Sequence, residues 1–297
     1  MDAKNQTRSI NPEFMNDLIG GVLAPLTEKV KNKENELILC LRKNYVNVYY
    51  KCGSLYKIEK QKGCYKISFD FGYASKTKNK DEFLSKLEEF GFDKSQIKKG
   101  EPTAITKIYR EEHDKAKKFF EISTKILKKF IDDKKENKIG EKIRQQEIFL
   151  ANNNPNSDFF IYDCEFKQPR NNKNEKDNGR FDFLALKKVG KVHRLVFCEL
   201  KTTRTACKGG SSVLKHSADF YNYTDCPNGK DYIRARKEEA LSTYEFYCKL
   251  NGLQQKTLDI NVDNVDVLFI YTDEATAYLN EFAIKLAKPF KINFEKI

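Results

Sequence analysis

The sequence predicts an α/β protein in two parts: an antiparallel β-rich N-terminal domain, then a mixed sheet flanked by helices. Three observations carry this. Residues 36–71 hold four short runs of β-branched and aromatic residues separated by turn residues. Residues 108–133 repeat apolar side chains at the helix period. Beyond Pro155, three strand-like runs are followed by helical segments and one more apolar strand, the order of an α/β core.

Taken along the chain, Asp2–Phe14 is polar, and Met15-Asn16-Asp17 reads as an alternative start. Residues 1–14 therefore read as a tag or a disordered start. The β-rich domain spans 15–105, with strands at Glu36–Arg42, Tyr45–Lys51, Ser54–Ile58 and Cys64–Phe71. Lys43-Asn44, Cys52-Gly53 and Lys60–Gly63 supply the turns. Asp81–Phe90 reads as a short helix and Gly91–Thr103 as a connection. Tyr45, Tyr49, Tyr50 and Tyr56 fit sheet and core positions better than base-stacking ones.

The second domain, 106–297, opens on the long helix. Phe119, Ile122, Ile126 and Phe130 form its stripe, and its lysines read as a solvated face. A helix at Glu141–Asn152 follows. Strands at Phe159–Lys167, Arg180–Leu186 and His193–Lys201 come next, the last two joined by a turn around Gly190. Ser211–Tyr223 and Asp231–Leu250 read as helices, Val265–Tyr271 and Pro289–Phe294 as strands.

Composition narrows the function classes. The 297 residues are 39% apolar and carry a formal net charge of +12. That balance suits a soluble protein with a polyanionic partner, nucleic acid first. No run approaches the roughly 18 apolar residues of a membrane span, so no membrane partner is expected. The eight cysteines show no CxxC pair and no histidine at zinc spacing, which points to buried thiols in a reducing cytosol.

The chemistry gathers on two strands. Arg180–Leu186 carries Asp182 inside an otherwise apolar run, and Leu195–Lys201 ends in Glu199-Leu200-Lys201. Strand alternation turns Glu199 and Lys201 to one face, and the short hairpin sets Asp182 beside Glu199. Two close carboxylates repel each other unless a proton or a cation intervenes. A hard divalent ion, Mg²⁺ or Mn²⁺, suits oxygen ligands and can engage a phosphate. An adjacent lysine can orient the attacking water. The acid-x-lysine triplet alone is common in this lysine-rich chain. Glu165-x-Lys167 also lies on a strand, but no aspartate-bearing hairpin strand precedes it. The bland alternative is a buried ion pair within a sheet, a poor source of stability.

With this constellation the sequence resembles the PD-(D/E)xK nucleases, the restriction-endonuclease-like fold, over about residues 139–272. Phe181-Asp182 stands where that family has Pro-Asp, and Glu199-Leu200-Lys201 where it has acid-x-lysine. The resemblance implies a mixed sheet flanked by helices. It implies metal ligation by Asp182, Glu199 and the main-chain carbonyl of Leu200, with Lys201 positioning water. Many members add an acid from the preceding helix. Glu141 is favoured, because Gln145 shares its face, whereas Glu147 lies on another. His216, Asp219 and Tyr223 follow at helical spacing as groove residues, with His216 an accessory candidate. Arg180 and Arg204 flank the motif strands as candidate phosphate contacts. The N-terminal sheet resembles companion domains of stand-alone bacterial defence nucleases. The expected activity is a DNA endonuclease, with DNA ahead of RNA. A homodimer would fit cleavage of both strands. A non-catalytic nucleic-acid-binding module and an RNA-processing nuclease are the competing readings.

Overall fold

The computed structural model describes residues 9–51, 53–98, 100–135, 140–167, 180–203, 207, 213–224, 229–272, 275 and 292–296. Of these, 135, 165–167, 180, 219, 221–224, 229–230 and 292–296 are described by backbone alone. Two compact units emerge: Arg8–Leu150 with Cys248–Leu253, and Ala151–Tyr247 with Gln254–Ile297.

The first unit is built on a five-stranded antiparallel meander. Its strands are β1 (Leu37–Arg42), β2 (Tyr45–Tyr50), β3 (Gly53–Gln61), β4 (Cys64–Phe69) and β5 (Thr103–Tyr109), paired in sequence order. Four of them match the β-rich runs. The fifth falls where a connection and the start of a helix were expected. Thr106 and Ile108 are buried while Lys107 and Tyr109 are exposed, so the segment alternates as an edge strand does. Tyr56 is fully buried and Tyr50 nearly so, which makes them core residues.

Three helices of this unit precede its long one: α1 (Pro12–Ile19), α2 (Ala24–Lys31) and α3 (Lys80–Glu88). The expected disordered start is corrected here for residues 9–14. Asn11 caps α1 by accepting the Phe14 N–H at 2.8 Å, and Pro12 stands in the first turn, where its missing N–H costs nothing. Phe14 is buried with its ring 4.9 Å from that of Tyr65. Tyr65 donates its hydroxyl to Asp17 at 2.5 Å, and Arg110 binds the same carboxylate at 2.8 Å.

The long helix α4 (His113–Lys135) moves the expected domain boundary. The sequence assigns it to the second domain as a lead-in, yet it belongs to the first unit, which runs to Leu150. The cause is its apolar stripe. Phe119, Phe120, Leu127, Phe130 and Ile131 are all fully buried. Tyr56 of β3 meets Ser123 at 2.6 Å and Thr124 at 3.0 Å, and Phe130 faces Phe69 of β4 at 6.1 Å. Most of α5 (Glu141–Asn152) belongs to this unit as well.

The second unit holds a five-stranded mixed sheet in the order β10-β9-β8-β7-β6. These are β6 (Phe159–Lys167), β7 (Arg180–Val189), β8 (Val192–Lys201), β9 (Ile260–Tyr271) and β10 (Ile292–Lys296). β6, β7 and β8 run antiparallel, and β8, β9 and β10 run parallel. Helices α6 (Val213–Thr224) and α7 (Gly229–Leu250) follow β8. Phe220 of α6 and Tyr232 of α7 pack on Phe197 of β8 at 5.2 Å and 6.3 Å. Among the described residues no helix is long and apolar enough to cross a membrane. All six described cysteines are buried.

Candidate active site

The β7–β8 hairpin sets the geometry. Gly190 takes a left-handed φ of 64°, which a glycine adopts without steric cost, and the turn pairs Val189 with Val192. The ladder then runs back to Phe183 opposite Cys198. One further step along each strand reaches Asp182 and Glu199. β7 and β8 run antiparallel, so the start of one and the end of the other share one edge of the sheet. That edge lies where the sheet changes from antiparallel to parallel pairing, since β8 and β9 run together there.

Three ionisable groups of this edge are buried: Asp182 is 9% exposed, Glu199 7% and Lys201 2%. Buried charge is tolerated only when paired or hydrogen-bonded. Asp182 Oδ2 accepts the main-chain N–H of Leu200 at 2.7 Å. Lys201 Nζ donates to Glu199 Oε1 at 3.0 Å, as expected of residues two apart on one face. The carbonyl of Lys201 accepts the N–H of Thr272 at 3.2 Å, and the Thr272 hydroxyl donates to the carbonyl of Thr202 at 2.7 Å. The tip of β8 is thus tied to the chain leaving β9.

His216 enters the same cluster from α6. Its Nε2 lies 3.1 Å from Glu199 Oε1. Burial, followed by the charges of Lys201 and Lys215, brings the imidazole pKa down to about 3. With the imidazole pKa that low the ring is neutral near pH 7, so the 3.1 Å approach is not an ion pair. Cys207 is also buried nearby. Its Sγ donates to the carbonyl of Thr203 at 3.6 Å, and burial raises the thiol above its ordinary value against the opposing charge of Lys201.

The structure therefore brings together Asp182, Glu199, Leu200, Lys201 and His216. Glu141, Gln145 and Glu147 stand on the part of α5 that belongs to the first unit. Gln145 is buried, Glu141 is exposed, and Glu147 is exposed in a pair with Arg144 at 2.8 Å. The shared face inferred for Glu141 and Gln145 does not give them a shared environment, because the helix start is solvated. Arg180 is the first residue of β7 and pairs with Lys167 by backbone register. The side chains of Arg180, Glu165, Lys167, Asp219 and Tyr223, and the whole of Arg204, lie outside the described residues. Neither Thr272 nor Cys207 stands out in the sequence. A threonine just past a strand and a cysteine in a polar stretch carry no distinctive signal.

Two carboxylates on adjacent strands are an oxygen donor set suited to a hard divalent ion. Such an ion takes one or two protein carboxylates, keeps several waters and engages substrate phosphate. Among the described residues no group of three or more His, Cys, Asp and Glu side chains is placed to hold a metal. Asp182 and Glu199 are the carboxylate donors that this end of the sheet offers. Comparison with protein-family models, with curated proteins and with solved structures finds no match to this chain.

Proposed function

We propose that the second unit is a Mg²⁺- or Mn²⁺-dependent nuclease with a restriction-endonuclease-like core, hydrolysing phosphodiester bonds in DNA. The observation that carries this reading is the shared sheet edge of Asp182 and Glu199, with Lys201 in contact with Glu199 at 3.0 Å. Asp182, Glu199 and the main-chain carbonyl of Leu200 would hold the ion. A bound divalent ion lowers the pKa of its water and stabilises charge on phosphate. The chain's own residues supply the rest. Paired strands fix the two carboxylates in position, which avoids reorganisation during the reaction. Lys201 orients the attacking water and balances the charge that develops. Burial strengthens each of these contacts relative to water. The net charge of +12 favours capture of a polyanion. DNA stands ahead of RNA on the family resemblance, and a role in defence against foreign DNA rests on the same ground.

The test is cleavage of supercoiled plasmid and of RNA with Mg²⁺, with Mn²⁺ and with EDTA. Nicking or linearisation is expected with metal and none with EDTA, because the carboxylates alone activate no water. Absence of cleavage of both nucleic acids under all metal conditions would sink the reading. Cleavage of RNA alone would keep the chemistry and change the substrate.

Lys201→Met gives a finer test. It retains the apolar stem in the buried site and removes the ammonium. The single-turnover cleavage rate is expected to fall about 10²- to 10³-fold. Mn²⁺ affinity, measured by calorimetry, is expected to change far less. An equal loss of both, in a variant that circular dichroism shows to be folded, would assign Lys201 to holding the carboxylates rather than to the water.

A further inference from the structure

We infer that His216 is a positioning residue of this site, holding the Glu199 carboxylate from α6. The inference rests on the nuclease reading only for what the carboxylate is held to do. Two side-chain nitrogens approach one oxygen. Glu199 Oε1 receives Lys201 Nζ at 3.0 Å and lies 3.1 Å from His216 Nε2. An ionised carboxylate oxygen only accepts, so Nε2 carries a proton whether the ring is neutral or charged. In the neutral ring Nδ1 is then the bare nitrogen. It is buried and has no hydrogen-bond partner among the described groups, which agrees with that tautomer.

The two donors are delivered differently. Lys201 sits two residues from Glu199 on the same strand and ends in a flexible four-carbon stem. His216 comes from a packed helix. Val213 and Ser217 on α6 are buried, and Phe220, one turn beyond His216, lies against Phe181 and Phe197 at 6.3 Å and 5.2 Å. The imidazole has only two side-chain torsions and is 15% exposed. Lys201 can orient a water only by sharing its N–H groups between that water and Glu199. On this inference His216 still holds Oε1 when the ammonium turns, so that oxygen stays in place. Partners that orient a metal ligand from behind are worth about 10- to 100-fold in metal affinity or activity.

Two variants and two readouts test this. His216→Leu removes the donor and keeps apolar volume. His216→Gln keeps an N–H near the position of Nε2. By calorimetry without nucleic acid, His216→Leu is expected to weaken Mn²⁺ binding at least about tenfold, with His216→Gln recovering most of the loss. Thermal unfolding checks that both variants are folded. Wild-type affinity in folded His216→Leu overturns the inference. So does a folded His216→Gln that binds as weakly as His216→Leu, because packing of the ring would then be the cause. The second readout needs no metal. The chain has three histidines, so long-range ¹H–¹⁵N spectra of the metal-free protein can resolve them. The Nε2–H form of His216 is expected, with its signals shifting in Glu199→Gln. A dominant Nδ1–H form excludes the hydrogen bond and ends the inference, whatever the protein does to nucleic acid. Failure of the wild type to bind Mn²⁺ or cut nucleic acid counts against the nuclease reading, while the spectra still decide the contact.

Discussion

Glu199→Gln is expected to lower the cleavage rate by about 10³-fold while the protein stays folded. Glutamine removes the charge that would hold a divalent ion. It keeps an oxygen to accept from Lys201 and His216, which lie 3.0 Å and 3.1 Å from Oε1 in the native protein. The choice of substitution matters. Glu199→Ala leaves the ammonium of Lys201, 2% exposed, without this partner. Breaking a buried pair from one side costs about 3–5 kcal/mol, so an inactive alanine variant could simply be unfolded. Asp182→Asn follows the same logic, because an amide oxygen can still accept the Leu200 N–H now bound at 2.7 Å. The measurement is plasmid cleavage beside circular dichroism. If both variants cut normally, the site lies elsewhere and Glu165-x-Lys167 becomes the next candidate.

Phe14→Ala is expected to cost the first unit about 3–5 kcal/mol, a large part of the stability of a domain. The ring is 1% exposed and meets Tyr65 at 4.9 Å, so its removal leaves a cavity between α1 and Tyr65 of β4. The polar contacts around it, from Asp17 to Tyr65 and Arg110, then lose their packed frame. Hydrogen exchange reads this as lost amide protection in α1 and β4, and urea denaturation as an earlier transition. Protection and midpoint like those of the wild type would mean that residues 9–14 do not belong to the core.

The candidate site was legible because its signal is local. A charged residue inside an apolar strand run is visible at Asp182 and at Glu199, and the turn at Gly190 leaves little freedom in how the two strands pair. His216 was visible only as a residue at helical spacing on a segment after Lys201. Its distance to Glu199 depends on how α6 packs over β8, which no periodicity encodes. Burial of Lys201 was weighed only as an alternative, since the same pattern at Asp132-x-Lys134 ends in an exposed lysine.

The first unit shows the same division. Four strands of its meander could be read from β-branched and aromatic runs between turns. Strand β5 could not, because Thr103–Tyr109 adjoins a strongly helical stretch and gains its identity by pairing with β4. The polar residues before Met15 looked dispensable until Phe14 met Tyr65.

By itself, then, the sequence determined which faces of each element are apolar, the hairpin that pairs Asp182 with Glu199, and the placing of Lys201 on the face of Glu199. The tertiary structure alone decided that α4 covers the first sheet, that Lys201 is buried and that His216 reaches the carboxylate. The physical reason is that hydrophobic periodicity states that a face must be buried, whereas the partner it is buried against is chosen by contacts distant in the chain.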